Sequence, residues 1–167
     1  MAIFHLSIKI ITRGKGRSAV AAAAYRSSTI FTNERDGSVH DYTRKGGIIH
    51  TEILLPQNAP VEYKDRSVLW NAVEASERYC NAQLSREIEI SLPVELTMEQ
   101  NISLARKFAR EQLVTAGMCA DVCVHDNGKG TPHAHIMLTM RPIEKSGKWG
   151  RSRAASTAKK STDRRLE

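Results

Sequence analysis

Apolar residues recur along the chain with two spacings, and the switching between them predicts an ordered series of strands and helices. Residues 2–11 (AIFHLSIKII) read as a strand rich in Ile, with apolar residues on both faces. The segment TRGKGR is a Gly-interrupted basic loop. Ser18 then caps an Ala-rich helix running from Ala19 to about Arg26. Residues 32–47 are polar, carry Asp36-Gly37 and Gly46-Gly47, and predict an irregular excursion with a small hairpin. A strand over 48–55 stops at Pro56. Val68, Leu69, Ala72, Val73 and Ala75 give one face of a helix from about Asp65 to Cys80. Strict alternation at Glu87-Ile88-Glu89-Ile90 marks a half-buried strand over 84–92.

The second half of the chain is more regular. Thr97 with Gln100 three residues later is a capping box. It opens an amphipathic helix to about Thr115, which Gly117 ends. Residues 119–125 and 133–141 are two further strands joined by the turn DNGKGTP. Hairpin-joined strands mixed with helices predict an α+β fold, with a central, mainly antiparallel five-stranded sheet and the helices packed on one face. Residues 1–145 read as one domain. Residues 146–167 lack apolar periodicity and read as a basic, flexible tail whose last Leu-Glu resembles a cloning remnant.

Charge narrows the class of partner. Twenty-five Lys and Arg against 18 Asp and Glu leave a net +7 over 167 residues, which favours a polyanion and above all nucleic acid. The excess is local, because residues 9–17 (KIITRGKGR) hold Lys9, Arg13, Lys15 and Arg17 and no anion. No apolar run approaches the ~20 residues that span a bilayer, so no membrane insertion is expected. The N-terminus has no signal-peptide pattern. Three cysteines, Cys80, Cys119 and Cys123, with no CxxC pair, suit a reducing cytoplasm, and Cys119 and Cys123 read as small hydrophobes.

The chemistry is concentrated in His125-Asp126-Asn127-Gly128-Lys129-Gly130-Thr131-Pro132-His133-Ala134-His135. Residues i and i+2 of a strand share a face, so His133 and His135 project together while Ala134 points away. An antiparallel return from the preceding strand sets His125 beside them. Three imidazoles on one face can hold a divalent metal and leave positions for substrate oxygen and water. Half of the six histidines fall in these eleven residues. Tyr25 closes the Ala-rich helix directly after the basic loop, where small neighbours allow close packing and a rigid phenol. A phenolate is a competent nucleophile toward a phosphodiester. Tyr42, Tyr63 and Tyr79 lack that setting.

His133-Ala134-His135 matches the HUH motif (His, hydrophobic, His) of metal-dependent DNA-nicking enzymes. Together with AIFHLSIKI, RSAVAAAAYR, REIEISLPVEL and PHAHIM, it makes residues 2 to about 142 resemble the nicking domain of MobA/MobL-type conjugative relaxases. The resemblance implies a palm-like HUH relaxase fold. It also implies nicking and rejoining of single-stranded DNA at a plasmid origin of transfer, with Tyr25 forming a 5′-phosphotyrosyl link. On the same comparison His125, His133 and His135 hold one Mn2+ or Mg2+ ion. The family carries acidic residues where Glu87 and Glu89 stand. They either accept a hydrogen bond from a liganding imidazole or assist deprotonation of Tyr25. Arg13, Lys15, Arg17 and Arg26 are candidates for phosphate contacts. Accessory proteins of a relaxosome and a coupling protein are the implied partners, and the family usually carries further C-terminal regions.

Two other readings compete. A rolling-circle replication initiator uses the same chemistry, but its tyrosine normally follows the HUH motif, and here no tyrosine follows His135. A basic, non-catalytic single-stranded-DNA-binding module predicts that Tyr25 is dispensable.

Overall fold

The computed structural model of the protein describes residues 5–128 and 131–152. Among these residues seven strands and three α-helices occur in the order β1 (Leu6–Thr12), α1 (Ala19–Ser27), β2 (Ile30–Thr32), β3 (Val39–Asp41), β4 (Ile48–Leu54), α2 (Arg66–Ser76), β5 (Gln83–Ser91), α3 (Met98–Phe108), β6 (Ala120–His125) and β7 (His133–Thr139). Five strands form one sheet in the order β1-β5-β7-β6-β4, with every pairing antiparallel. β2 and β3 pair separately as the hairpin expected in the polar excursion. The α+β class and the five-stranded antiparallel sheet are as the sequence predicts.

The helices do not share one face of the sheet; they divide between both. Register sorts the side chains. Ile88, Ile136 and Val122 sit opposite one another across β5, β7 and β6, and the other face carries Glu87, Met137 and Asp121. The first set joins Ala105 of α3 in one core, with Met98, Ile102 and Phe108 packed against it. On the second face Ala19, Val20 and Ala23 of α1 and Leu69, Trp70 and Val73 of α2 form another core with Ile11 and Met137. The reason lies in the strands. β6 is buried along its whole length, and Ala134, Ile136 and Leu138 are as apolar as any helix-facing row, so both sides need covering.

Local signals explain the elements. The Ser18 hydroxyl accepts from the Ala21 N–H, and Ser28, at φ 53°, closes α1. Asp65 caps α2 through the Val68 N–H. The expected capping box on α3 is present, with Thr97 and Gln100 satisfying each other's backbone. Beyond Phe108 the helical path widens to a π turn over Ala109–Leu113 before a tight last turn and Gly117, at φ 89°. Through this widened turn Val114 is buried in the core under α3 and Leu113 packs against it.

The folded body also extends past the expected boundary at 145. Ile143 and Trp149 form a β-bridge, and Trp149 stacks on Tyr63 with ring centroids 5.3 Å apart. The rest of the expected tail, 153–167, lies outside the described residues. Among the described residues no helix is long and apolar enough to cross a membrane.

Candidate active site

The site is built on the sheet face that α1 and α2 cover. His125 stands directly opposite His133 in the β6–β7 register, and His135 lies two residues along β7 on the same face. The three rings are 4.9–5.4 Å apart, centroid to centroid. One nitrogen from each lies within 4.8 Å of the others.

Each imidazole is also held from behind. The His125 Nε2–H donates to the Arg26 carbonyl at 2.7 Å, and the His133 Nδ1–H to the Thr131 carbonyl at 3.3 Å. The His135 Nδ1–H donates to Glu87 Oε1 at 2.8 Å. In every case the bonded nitrogen is the donor, so a neutral ring offers its second nitrogen, the tautomer a metal ligand needs. Burial pushes His125 down to about 4, against a weaker opposing pull from the Arg26 carbonyl, so its ring is neutral at physiological pH. Three imidazole nitrogens in this spacing fit a divalent metal.

Glu87 ties the cluster to α1. Arg26 clamps it through Nε and Nη2, both at 2.5 Å, while His135 takes the same carboxylate from the other side. Burial alone raises a carboxyl group; here the hydrogen bonds from His135 and Arg26 outweigh it and draw Glu87 down to about 2. Glu89 is the direct cross-strand partner of His135, yet it turns outward to Lys9 at 3.4 Å. Of the two glutamates, the structure thus brings Glu87 to the histidines, diagonally across the strands.

Tyr25 sits half-exposed in the last turn of α1. Its ring and that of Tyr42 meet edge to face with centroids 5.2 Å apart, and the Lys45 ammonium lies over the Tyr25 ring at 4.1 Å. An open cleft of about 560 Å3 beside it is lined by Lys9, Arg17, Arg26, His40 and Tyr42 among others.

The basic residues separate. Lys15 and Arg17 are exposed, Arg17 on the cleft. Arg13 instead folds back onto the end of α2. It donates to the carbonyls of Glu74, Glu77 and Tyr79 and to the Glu74 carboxylate at 2.5 Å. Glu74, 2% exposed, also accepts from the Ala19 N–H at 2.8 Å, so this pair locks the start of α1. Arg13 is therefore a brace rather than an open phosphate contact. The signal was present: Glu74 falls on the apolar stripe of α2, and a carboxylate there requires a partner. Tyr42 and Lys45 had no such mark in the sequence.

A search of family models matches residues 17–166 to the MobA/MobL family. The chain belongs to the MobA/MobL family. Among relatives, it is 46% identical over 153 residues to conjugal transfer protein TraA of Rhizobium radiobacter, covering 86% of this chain and 14% of that protein. It is 43% identical over 176 residues to mobilization protein MobL of Acidithiobacillus ferridurans, covering 90% and 46%. It thus spans less than half the length of either MobA/MobL relative. A solved structure from work on the "Molecular Basis of Vancomycin Resistance Transfer in Staphylococcus aureus" superposes with a TM-score of 0.85 at 37% identity, covering 90% of this chain and 76% of that one.

Proposed function

We propose that this MobA/MobL chain is a relaxase domain that nicks and rejoins single-stranded DNA at a plasmid origin of transfer and so initiates conjugative mobilisation. The observation that carries the reading is Arg26. Its carbonyl holds His125, its guanidinium holds Glu87 and through it His135, and its neighbour in the chain is Tyr25. Nucleophile and histidine cluster are thereby fixed to each other through one residue.

In this mechanism the Tyr25 oxygen attacks the scissile phosphorus. The new Oη–P bond forms as the P–O3′ bond breaks; the phenol gives up its proton and the departing 3′ oxygen takes one up. A 5′-phosphotyrosyl link and a free 3′-hydroxyl result, and because one phosphodiester replaces another, the reverse reaction rejoins the strand. His125, His133 and His135 would hold one Mn2+ or Mg2+ ion, which supplies charge neutralisation at a non-bridging phosphate oxygen. Glu87 keeps the His135 tautomer fixed. Lys9 and Arg17 on the cleft, with the exposed Lys15, are the cations offered to the sugar–phosphate backbone. Relaxosome accessory proteins and a coupling protein are the partners this reading implies, and the cytoplasm its compartment.

The test is a cleavage reaction on labelled single-stranded oligonucleotides tiling the transfer origin, resolved on a denaturing protein gel. A covalent protein–DNA band that requires Mn2+ or Mg2+, disappears with EDTA and is absent in Tyr25→Phe is the expected result. A band that persists in Tyr25→Phe overturns the assignment of the nucleophile. DNA binding with no cleavage anywhere on the origin returns the protein to the class of binding modules.

A further inference from the structure

An exposed tyrosine at the end of a helix normally has several side-chain positions open to it. Tyr25 is 47% exposed, yet two side chains from outside its own helix contact its ring. Both come from one tight turn that follows β3. The Lys45 N–H donates to the Tyr42 carbonyl at 2.9 Å, closing the turn, and the Tyr42 N–H donates to the Thr29 carbonyl at 3.1 Å, just past the end of α1. Asp41 accepts from both the N–H and the hydroxyl of Thr43, fixing the entry to the turn. The turn is therefore anchored beneath the nucleophile's own helix terminus.

Its two side chains meet Tyr25 in complementary ways. Tyr42 presents its ring at 89° and 5.2 Å, the edge-to-face arrangement that aromatic quadrupoles favour. Lys45 Nζ donates to the Tyr25 carbonyl at 3.2 Å and lies 4.1 Å from the centre of its ring. Among the described residues no carboxylate pairs with Lys45, although it is partly buried and Arg26 is close enough to repel it. Arg26 is already engaged by Glu87. A cation held without a counter-ion at this place is explained by the electron-rich ring and carbonyl it touches.

We propose that Tyr42 and Lys45 form a socket that fixes the orientation of the Tyr25 ring, and that both are positioning residues for the nucleophile. This rests on the reading of Tyr25 as the nucleophile given above. In the absence of the socket the chain still folds and still binds DNA, but the phenol spends less time aligned for attack.

The test places 3-fluorotyrosine at position 25 of the full chain and reads its 19F resonance, with the urea-unfolded protein as reference. Lys45→Met keeps the aliphatic stem and removes the charge, Lys45→Arg keeps the charge, and Tyr42→Leu removes the ring edge. The resonance is expected to move toward the unfolded position in Lys45→Met and Tyr42→Leu and to stay near wild type in Lys45→Arg. With DNA saturating, single-turnover nicking should fall about three- to tenfold in the first two variants, with DNA affinity unchanged and Lys45→Arg largely restored. An unmoved resonance overturns the socket. So does a moved resonance with an unchanged saturating rate, or a loss confined to DNA affinity, which makes Lys45 a phosphate contact. Tyr25→Phe, run alongside, separates the two ideas. A covalent band surviving in that variant removes Tyr25 as nucleophile, and the resonance alone then decides whether the socket holds the ring.

Discussion

The two faces of the sheet are built on different principles. Under α3 the core is almost wholly apolar, with Ile88, Ile136, Val122 and Leu138 meeting an amphipathic helix whose N-terminus is capped locally. Under α1 and α2 the apolar packing is threaded by buried charge: Arg13 with Glu74, Arg66 and Trp70 with Asp121, Arg26 and His135 with Glu87. Burying ions for stability alone is a poor bargain, since apolar residues of similar volume often do as well. What the charged face gains is direction. Each network fixes a backbone or side-chain vector, and all three lie on the face that carries Tyr25 and the histidines. Both faces hold the domain together, and the charged one would in addition aim the chemistry proposed above.

The largest effect should come from breaking a network on the charged face. Glu74→Ala removes the carboxylate that pairs with Arg13 and accepts from the Ala19 N–H, leaving a partly buried cation with backbone carbonyls alone. A loss of about 3–5 kcal/mol in urea unfolding is expected. The loss should be smaller in Glu74→Gln, which keeps an oxygen for the Ala19 N–H. An equal loss in both variants means that the ion pair accounts for the whole effect and the hydrogen bond to the Ala19 N–H contributes nothing.

A pair of adjacent residues on β7 sharpens the contrast. Ile136→Ala opens a cavity on the α3 face and should cost about 3 kcal/mol of stability, with Mn2+ affinity by calorimetry nearly unchanged. His135→Ala, one residue away on the other face, should leave thermal stability within about 1 kcal/mol and abolish tight Mn2+ binding. If His135→Ala binds Mn2+ as wild type does, the histidine cluster is not the metal site.

These neighbours also mark what was legible beforehand. Strand periodicity alone put His133 and His135 on one face and Ala134 on the other, and the register bears that out. The place of Tyr25 in the last turn of α1 is also legible from the Ala-rich helix that follows the basic loop. Which face each helix takes was not readable, because amphipathicity states that a helix must be covered and not by which sheet surface. The strand order β1-β5-β7-β6-β4 is likewise set by pairings far apart in sequence. Glu87 and Glu89 are equivalent by spacing; only the approach of Arg26 from α1 separates them. Arg13 looked like an open cation because its partners lie more than sixty residues away.

The smallest effect compares two helix starts. Ser18 caps α1 and Thr97 caps α3, each accepting one backbone N–H at 3.2 Å. Replacing either by Ala should lower stability by a similar amount, about 1 kcal/mol, measured by urea unfolding. Their effects on nicking should differ. Ser18 also accepts from the Asn33 side chain, which joins the start of α1 to the hairpin whose far end leads into Tyr42 and Lys45. Loosening that end therefore reaches the helix that carries Tyr25 and the turn that holds its ring. Thr97 sits at the start of the helix on the opposite face, and its loss leaves the arrangement of α1 untouched. At a temperature where both variants are fully folded, Ser18→Ala should nick several-fold more slowly than Thr97→Ala. Equal nicking rates at equal stability would mean that the charged face is no more sensitive to local loosening than the apolar one, and the division of labour between the two faces would fail.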